Sequence, residues 1–517
     1  MHTINVPYQR CLDLAVLLLA IFVPGSGVGK ISRAIANPPS AQAASEQAQS
    51  SRHEPAIKLP QTQTNTSVLT ETAKDAVLLI ITPTAFAQTL QPYVQFKMKQ
   101  LPTKLVTLES ILSQQDSGDD AQKVKQFLFE NWKHGKLRYA LLVGDADVFP
   151  VRYMTLDRNT QAAWNIAFYP SDLYYGDLAD RQQNFENWNG AQHDFHGDYF
   201  AEVCGEHNKE VDINFDQIDY LPEIAVGRWP VSTAQEAQRL ARKTIDYHES
   251  LANQSENSTA AMLAISGWVD SRPTMDFIAD AISNSFQVKK LYYADKDQKD
   301  SSIALPTSES FLQTAENGAR LIFHAGHGSD HTWEKCFAQR DIPKLNNANH
   351  LPIMVSAGCS TARLATLPPY EPYLDKFGKH HVGTDHGEVF NMPPPAPACY
   401  QTGSYNSTGL GEQLLRKQAQ GAVAYIGCNT GSQPCGLTLL KGFATSIKEQ
   451  PTRNLGDHWV SAVHYYYHKE NLSTLKPTRS WYPPSIYFQG MKFMLYGDPS
   501  LPMPLRSVNG NKQLSGN

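Results

Sequence analysis

The sequence has few of the features that direct a chain to nucleic acid, to a disulfide scaffold or into a membrane. Seven cysteines among 517 residues are too few for a disulfide framework. Lys and Arg number 45 against 50 Asp and Glu, with no long basic run, so we expect no nucleic-acid partner. After the N-terminal region, no segment is long and apolar enough to span a bilayer. The composition, 41% hydrophobic and 18% charged, is typical of an ordered globular protein large enough for two or three domains.

An apolar run near the N-terminus is typical of a secretory signal peptide. Arg10 precedes the run 14–23, which is too short for a spanning helix, and small residues follow as far as Gly27. Cleavage near Gly27 and cleavage after Ala43 both fit. A buried N-terminal helix is the alternative, and it is disfavoured because the residues that follow are polar. We therefore expect a secreted or periplasmic protein that keeps no membrane span in its mature form.

Further along the chain, short apolar runs alternate with segments of helical periodicity. This alternation predicts an α/β fold of two adjacent α/β subdomains with mostly parallel sheets. A polar stretch after residue 252 marks the boundary between the two subdomains. We divide the chain into 1–44 (signal peptide and start of a linker), 45–74 (linker or short pro-segment), 75–252 (N-terminal subdomain) and 253–517 (catalytic subdomain). The stretch 367–408 shows no periodicity and is interpreted as an insertion.

Two apolar runs in the second subdomain each lead to a reactive side chain. The run 321–326 precedes His327, and the run 351–358 precedes Cys359. Because ligands and catalytic groups gather at the carboxyl ends of parallel strands, we expect the imidazole and the thiol at one edge of a sheet. Histidine can take the thiol proton, and the thiolate is then a nucleophile. A buried structural cysteine is the alternative for Cys359.

A second histidine, His324, competes for the role of base. It lies inside the apolar run, where a core histidine is expected, whereas His327 stands between two glycines at the strand end and can face solvent. The backbone N–H groups of Gly328 and Cys359 are the expected donors to an oxyanion, since amides at a strand-to-loop turn can converge on one oxygen.

His327-Gly328 after one strand and Ala357-Gly358-Cys359 after the next, 32 residues apart (359 − 327), resemble the gingipain family of cysteine peptidases. The wider clan includes caspases, legumains and separases. Further segments that resemble the family are 144–145 (GD), 172–177 (DLYYGD), 223–231 (EIAVGRWPV) and 494–500 (MLYGDPS). The resemblance implies a caspase-like second subdomain and a secreted cysteine endopeptidase that hydrolyses protein or peptide substrates through a Cys-His dyad.

The resemblance also implies roles for other residues. In related enzymes an acidic side chain near the first strand of this subdomain orients the histidine, and Asp270 is the candidate here. Asp270 could equally cap a helix. Relatives wall the pocket for the residue before the scissile bond with the loop 428–433, which makes Asn429, Thr430 and Gln433 candidate substrate-binding residues. No acidic residue in this loop indicates a preference for Arg or Lys.

Two functions of other classes stay open at this point. The first is a metal-dependent hydrolase, although the sequence has neither H-E-x-x-H nor a paired C-x-x-C. Its candidate ligands are His324, His327, His331, His380, His381, Asp385 and His386. The second is an inactive relative that binds peptides or serves a secretion system, which the presence of both His327 and Cys359 disfavours. For the peptidase chemistry we expect no required cofactor, and a structural calcium ion is left open.

Overall fold

The structure is a computed structural model that describes ten stretches of the chain. They are residues 73–114, 117–155, 168–188, 218–252, 258–295, 303–348, 350–390, 394–401, 408–476 and 482–506. All of them belong to one unit, Asn65–Asn517. The predicted signal peptide and almost all of the predicted linker lie outside the described residues. Within the described ranges, no helix is both long and apolar enough to cross a bilayer.

Short apolar runs form the strands, as the sequence predicts. In chain order they are β1 (Leu78–Thr82), β2 (Thr103–Thr107), β3 (Tyr139–Val143), β4 (Tyr153–Thr155), β5 (Phe168–Pro170), β6 (Ala225–Trp229), β7 (Thr259–Ala264), β8 (Gln287–Tyr292), β9 (Ala319–Ala325), β10 (Gly328–Ser329), β11 (Thr332–Trp333), β12 (Phe337–Ala338), β13 (Ile353–Ser356), β14 (Tyr373–Leu374), β15 (His380–His381), β16 (Ala424–Cys428) and β17 (Phe493–Tyr496).

The α-helices flank these strands. They are α1 (Thr84–Met98), α2 (Leu108–Leu112), α3 (Asp120–Lys133), α4 (Ala234–Ala252), α5 (Arg272–Ile282), α6 (Ser308–Glu316), α7 (Leu410–Arg416), α8 (Leu437–Glu449), α9 (Leu455–Lys469) and α10 (Tyr482–Gln489). Along β1, alternate residues belong to two different apolar clusters. Leu79 and Ile81 pack in one cluster, and Leu78 and Ile80 pack in the other. A strand that is buried on both faces has a continuous apolar sequence. Such runs therefore predict strands of a sheet that is covered on both faces.

Ten strands of the described residues form one sheet, in the order β2-β1-β3-β6-β17-β16-β13-β9-β7-β8. The strands β2, β1, β3 and β6 of the predicted N-terminal subdomain pair in parallel, and so do β16, β13, β9, β7 and β8 of the predicted second subdomain. Between the two sets, β17 pairs parallel with β6 and antiparallel with β16. The predicted mostly parallel α/β fold is confirmed, and the two sets of strands run in opposite directions within one continuous sheet.

The helix α1 was not expected from the sequence, because its pattern lacks a clean apolar stripe. Pro92 lies inside the helix, and the apolar face includes a lysine, Lys97. In the structure the Lys97 Nζ lies 3.2 Å from a carboxylate oxygen of the fully buried Asp498, and the Tyr93 hydroxyl donates to the same carboxylate at 2.5 Å. The buried lysine is therefore a partner of the segment after β17.

The described part of the predicted insertion at 367–408 contacts residues of the predicted N-terminal subdomain. Its described part contains the antiparallel pair β14–β15. The Phe168 N–H donates to the Pro368 carbonyl at 3.2 Å, and the Val151 N–H donates to the Cys399 carbonyl at 2.8 Å. The segment that follows the Cys359 turn is thus tied by its backbone to β5 and to the residue Val151 before β4.

Candidate active site

Four neighbouring parallel strands end at the same edge of the sheet and supply the candidate site. The strand β7 leads to Gly267, β9 leads to His327, β13 leads to Cys359, and β16 leads to the loop 429–433. Because β7, β9, β13 and β16 pair in parallel, their carboxyl ends lie side by side. This placement agrees with the expectation from the sequence.

The segments that carry His327 and Cys359 meet backbone to backbone. A Cβ added to Gly328 would lie 3.0 Å from the carbonyl oxygen of Cys359 and 3.1 Å from the Cα of Gly358. Only glycine, which has no Cβ, allows such an approach. The structure therefore brings the two candidate catalytic residues into adjacent, directly touching turns.

The ring of His327 is held by a main-chain carbonyl. Its Nε2 lies 2.6 Å from the oxygen of Gly267. A carbonyl oxygen only accepts hydrogen bonds, so Nε2 carries the proton and the neutral ring keeps its lone pair on Nδ1. The His327 side chain is thus prepared to accept a proton at Nδ1 while its other nitrogen stays bonded.

The structure places Asp270 beside Arg272. The Arg272 Nε donates to the Asp270 carboxylate at 2.9 Å, and this guanidinium holds the pKa of the Asp270 carboxyl below its usual range. Among the described residues, the hydrogen-bond partner of the His327 ring is the Gly267 carbonyl. Sequence reasoning missed it because a main-chain carbonyl has no residue signature. The only local indication is a glycine at a strand end, and Gly267 has a φ of +103°.

His324 lies in the core beneath the site. Its Nδ1 is 2.9 Å from the Ser356 hydroxyl, and its ring stacks on Trp333 with 4.5 Å between centroids. Burial lowers the pKa of His324 to about 3, so the ring is uncharged at neutral pH. A Cβ on Gly358 would lie 3.1 Å from its Cε1. His324 therefore supports the turn that leads to Cys359.

The thiol of Cys359 rests against the backbone of Ser432. The Ser432 N–H donates to Cys359 Sγ at 3.3 Å, and the thiol donates to the Ser432 carbonyl at 3.6 Å. Burial raises the pKa of the Cys359 thiol, while the Ser432 N–H and the charge of Lys492 act in the opposite direction. A thiol in this environment stays protonated until a base or a nearby positive charge favours the thiolate.

The candidate substrate-binding residues lie in the loop that contacts the thiol. Asn429 is fully buried, and its side-chain amide donates to the Pro170 carbonyl. Thr430 is buried and accepts a hydrogen bond from the Ser360 N–H at 2.8 Å. Gln433 is half-buried, and its N–H donates to a side-chain oxygen of α10. The loop is thus bonded to the turn of Cys359 through Ser360 and Ser432.

Two histidines of the alternative metal site, His331 and His381, are held by separate partners. The His381 ring nitrogens contact Asp375 at 2.9 Å and Glu388 at 2.8 Å, and the His331 Nδ1 contacts Gln339 at 3.1 Å. Among the residues that the structure describes, no group of three or more His, Cys, Asp or Glu side chains could hold one metal ion.

A thiol and an imidazole, here on touching turns at the carboxyl edge of a mostly parallel sheet, are the groups that cysteine-peptidase chemistry requires. Residues 71–504 match the sequence profile of peptidase family C25, and the chain belongs to this family. None of the curated proteins is significantly similar to the chain in sequence.

Two solved structures show the same fold. One is a crystal structure of the Arg-specific cysteine proteinase gingipain R, with 16% sequence identity and a TM-score of 0.54 over 84% of this chain and 80% of that one. The other is a complex of the pro- and mature domains of RgpB from Porphyromonas gingivalis, with 17% identity and a TM-score of 0.53 over 83% and 81%. The expected caspase-like fold is confirmed.

Proposed function

We propose that the protein is a secreted cysteine endopeptidase in which Cys359 is the nucleophile and His327 is the base. The observation that carries the proposal is the backbone contact between Gly328 and the segment Gly358–Cys359, which sets the two turns side by side. The Gly267 carbonyl supports the same assignment, because it leaves the lone pair of the neutral His327 ring on Nδ1.

The chemistry then proceeds in two halves. The His327 Nδ1 takes the proton of the Cys359 thiol, and the thiolate attacks the scissile carbonyl carbon. The oxyanion accepts hydrogen bonds from the backbone N–H groups of Gly328 and Cys359. The protonated His327 gives its proton to the leaving amine as the C–N bond breaks and a thioester forms. Water, deprotonated by His327, hydrolyses the thioester and restores the thiol.

Substrate and location belong to the same proposal. The substrate is a protein or peptide, and the loop with Asn429, Thr430 and Gln433 contacts the residue before the scissile bond. Asp270 stays the candidate acidic residue that orients His327, and its carboxylate accepts a hydrogen bond from Arg272 at 2.9 Å. The chain is exported by the signal peptide in 1–44, and the chemistry requires no cofactor, with a structural calcium ion left to experiment.

Peptides blocked at both ends test the endopeptidase assignment. The purified protein should cleave such peptides internally, and Cys359→Ala and His327→Ala should each abolish cleavage while the circular dichroism spectrum is unchanged. Cys399→Ala, at a partly buried cysteine of the insertion, is the matched control and should remain active. Cleavage by the folded Cys359→Ala variant at the wild-type rate would refute the proposal.

A further inference from the structure

Buried lysines are rare in proteins and normally have an evident partner. Among the described residues, four lysines are at most 3% exposed. They are Lys97, Lys125, Lys243 and Lys492.

Three of the four have an evident compensating group, and of these Lys125 has no hydrogen bond within the described residues and relies on aromatic rings and on the charge of Asp177. Lys97 pairs with Asp498 at 3.2 Å. The Lys243 ammonium donates to three backbone carbonyls at the end of α7, at 2.9 to 3.0 Å. Lys125 lies over the ring of Tyr174, with its Nζ 4.4 Å from the centroid. An acid, a set of carbonyls or an aromatic face thus accounts for each of these buried charges.

Lys492 differs from the other three. Its Nζ has one long hydrogen bond, to the Gly431 carbonyl at 3.5 Å, and lies 5.6 Å from the centroid of the Tyr169 ring. Within the described part of the chain, no carboxylate pairs with this ammonium. The groups that favour its charge are the thiols of Cys428, Cys435 and Cys359. The buried cation therefore lies within electrostatic reach of three cysteines.

The sheet topology explains why Lys492 stands at the candidate active site. Because β17 runs antiparallel to β16, Phe493 pairs with Cys428, and the start of β17 lies where β16 ends. The Asn429 N–H donates to the Lys492 carbonyl at 2.8 Å. The carbonyl that the Lys492 ammonium contacts belongs to Gly431, the neighbour of the residue whose N–H contacts Cys359 Sγ.

We propose that Lys492 is the fixed counter-charge of the Cys359 thiolate, so that the nucleophile ionises as one member of an ammonium–thiolate pair. The inference rests on the proposed role of Cys359. A buried thiolate and a buried ammonium are each unfavourable alone, and each compensates the other when both are present. When the thiol proton leaves through His327, the ammonium keeps its own protons and acts on the sulfur through its charge. Lys492 is thus a positioning residue.

The other groups around the thiol fit this assignment. Burial raises the pKa of Cys428 to about 12, which keeps that thiol neutral. Cys359 differs from it in receiving the Ser432 N–H at 3.3 Å, a hydrogen bond that favours its thiolate. Glu334 is the acidic side chain that opposes ionisation of Cys359. Burial lowers the pKa of Lys492, and the nearby thiols counteract this effect. The proposed pair therefore joins one buried cation to a thiol that a backbone N–H already favours in its ionised form.

The pH dependence of alkylation tests the proposal directly. Iodoacetamide is added to the whole protein across a pH series, and the labelled fraction of Cys359 is read by peptide mass mapping. In Lys492→Met the midpoint of the alkylation curve should move upward by about one pH unit, a roughly tenfold smaller thiolate fraction at neutral pH. Lys492→Arg should retain a midpoint close to that of the wild type. The control Lys243→Met, at a buried lysine held by carbonyls, should leave the midpoint unchanged.

The outcomes separate this proposal from its alternatives. A Lys492→Met curve that superimposes on the wild-type curve overturns the counter-charge role, and so does a loss of peptide turnover with no movement of the curve. If Lys492→Met does not fold, Lys492→Gln replaces it and should show the same upward shift. Activity in Cys359→Ala would instead refute the proposed function, whatever the alkylation curves show.

Discussion

Gly328 and Gly358 lie in direct backbone contact across two neighbouring strands of the sheet. A Cβ on Gly358 would stand 3.3 Å from the Cα of Gly328. Each glycine adjoins one of the two candidate catalytic residues, so this contact sets how closely the imidazole and the thiol approach. The close approach of the two candidate catalytic residues thus depends on both Gly328 and Gly358 being glycine.

Gly328→Ala should impair turnover more than it impairs folding. The added methyl group would lie 2.6 Å from Thr361 Cγ2 and 3.0 Å from the Cys359 carbonyl oxygen, so the Cys359 turn must shift. We expect a loss of about 1–3 kcal/mol in the free energy of unfolding and a fall in kcat. Gly490→Ala is the control, because its nearest neighbour, Tyr466 Cδ1, is 3.7 Å away. Steady-state kinetics decide, and an unchanged kcat in Gly328→Ala would show that the contact does not position the site.

His324 and His327 should respond oppositely to alanine substitution. His327→Ala should lose peptide cleavage and keep its free energy of unfolding, because the ring transfers protons. His324→Ala removes a fully buried ring stacked on Trp333 and should lower the free energy of unfolding by about 2–4 kcal/mol. Urea denaturation and kcat on the same preparations measure both effects. A well-folded but dead His324 variant, with an active His327 variant, would mean that the base is His324.

His458→Gln should reveal a buried neutral histidine through its pH dependence. Burial lowers the pKa of His458 to about 4, and its Nδ1 is 2.9 Å from the Ser446 hydroxyl. Below about pH 6.5 the His458 ring is protonated in the unfolded chain, whereas in the folded chain it stays neutral down to about pH 4. The contribution of His458 to the free energy of unfolding is therefore complete above about pH 6.5 and falls as the pH drops toward 4. The difference in the free energy of unfolding between wild type and His458→Gln should therefore shrink by about 2 kcal/mol when the pH is lowered from 7.5 to 4.5.

Urea denaturation at the two pH values measures this change. The control is His468→Gln, at an exposed position of the same helix, which removes no buried ring. A deficit of His458→Gln that stays constant with pH would show that His458 is not held neutral by burial.

Asp498→Asn should destabilise the fold strongly, because it leaves the buried Lys97 ammonium without its anion. Removing one partner of a buried ion pair typically lowers the free energy of unfolding by about 3–5 kcal/mol. Lys136→Ala is the matched control, since Lys136 and Asp75 form a largely exposed pair at 3.5 Å, and we expect a change within about 0.5 kcal/mol. Urea unfolding compares the two variants. Equal effects would mean that the Lys97–Asp498 pair contributes no more than a surface pair.

The strand ends at the site were predictable because buried parallel strands have a strong sequence pattern. The runs before His327 and Cys359 are mostly apolar, form strands buried at every position and stop at glycine, and the structure places both at one edge of the sheet. A core histidine at position 324 also follows from its place inside a strand.

Two groups at the site could not be predicted in the same way. The Gly267 carbonyl contacts His327, and a main-chain group carries no sequence pattern. Lys492 precedes β17, and a parallel sheet would place the start of a strand at the edge opposite the site. The antiparallel pairing of β17 with β16 brings Lys492 to the site instead, and strand direction is a property of the assembled sheet.

Stoichiometric alkylation tests the central claim, that Cys359 is the nucleophile. Iodoacetamide is titrated into the active protein, and residual cleavage of a blocked peptide is plotted against the fraction of Cys359 labelled, as measured by mass mapping. We predict that activity falls in proportion to labelling of Cys359 and vanishes when that residue is fully labelled. Full activity in protein whose Cys359 is completely alkylated would contradict the account.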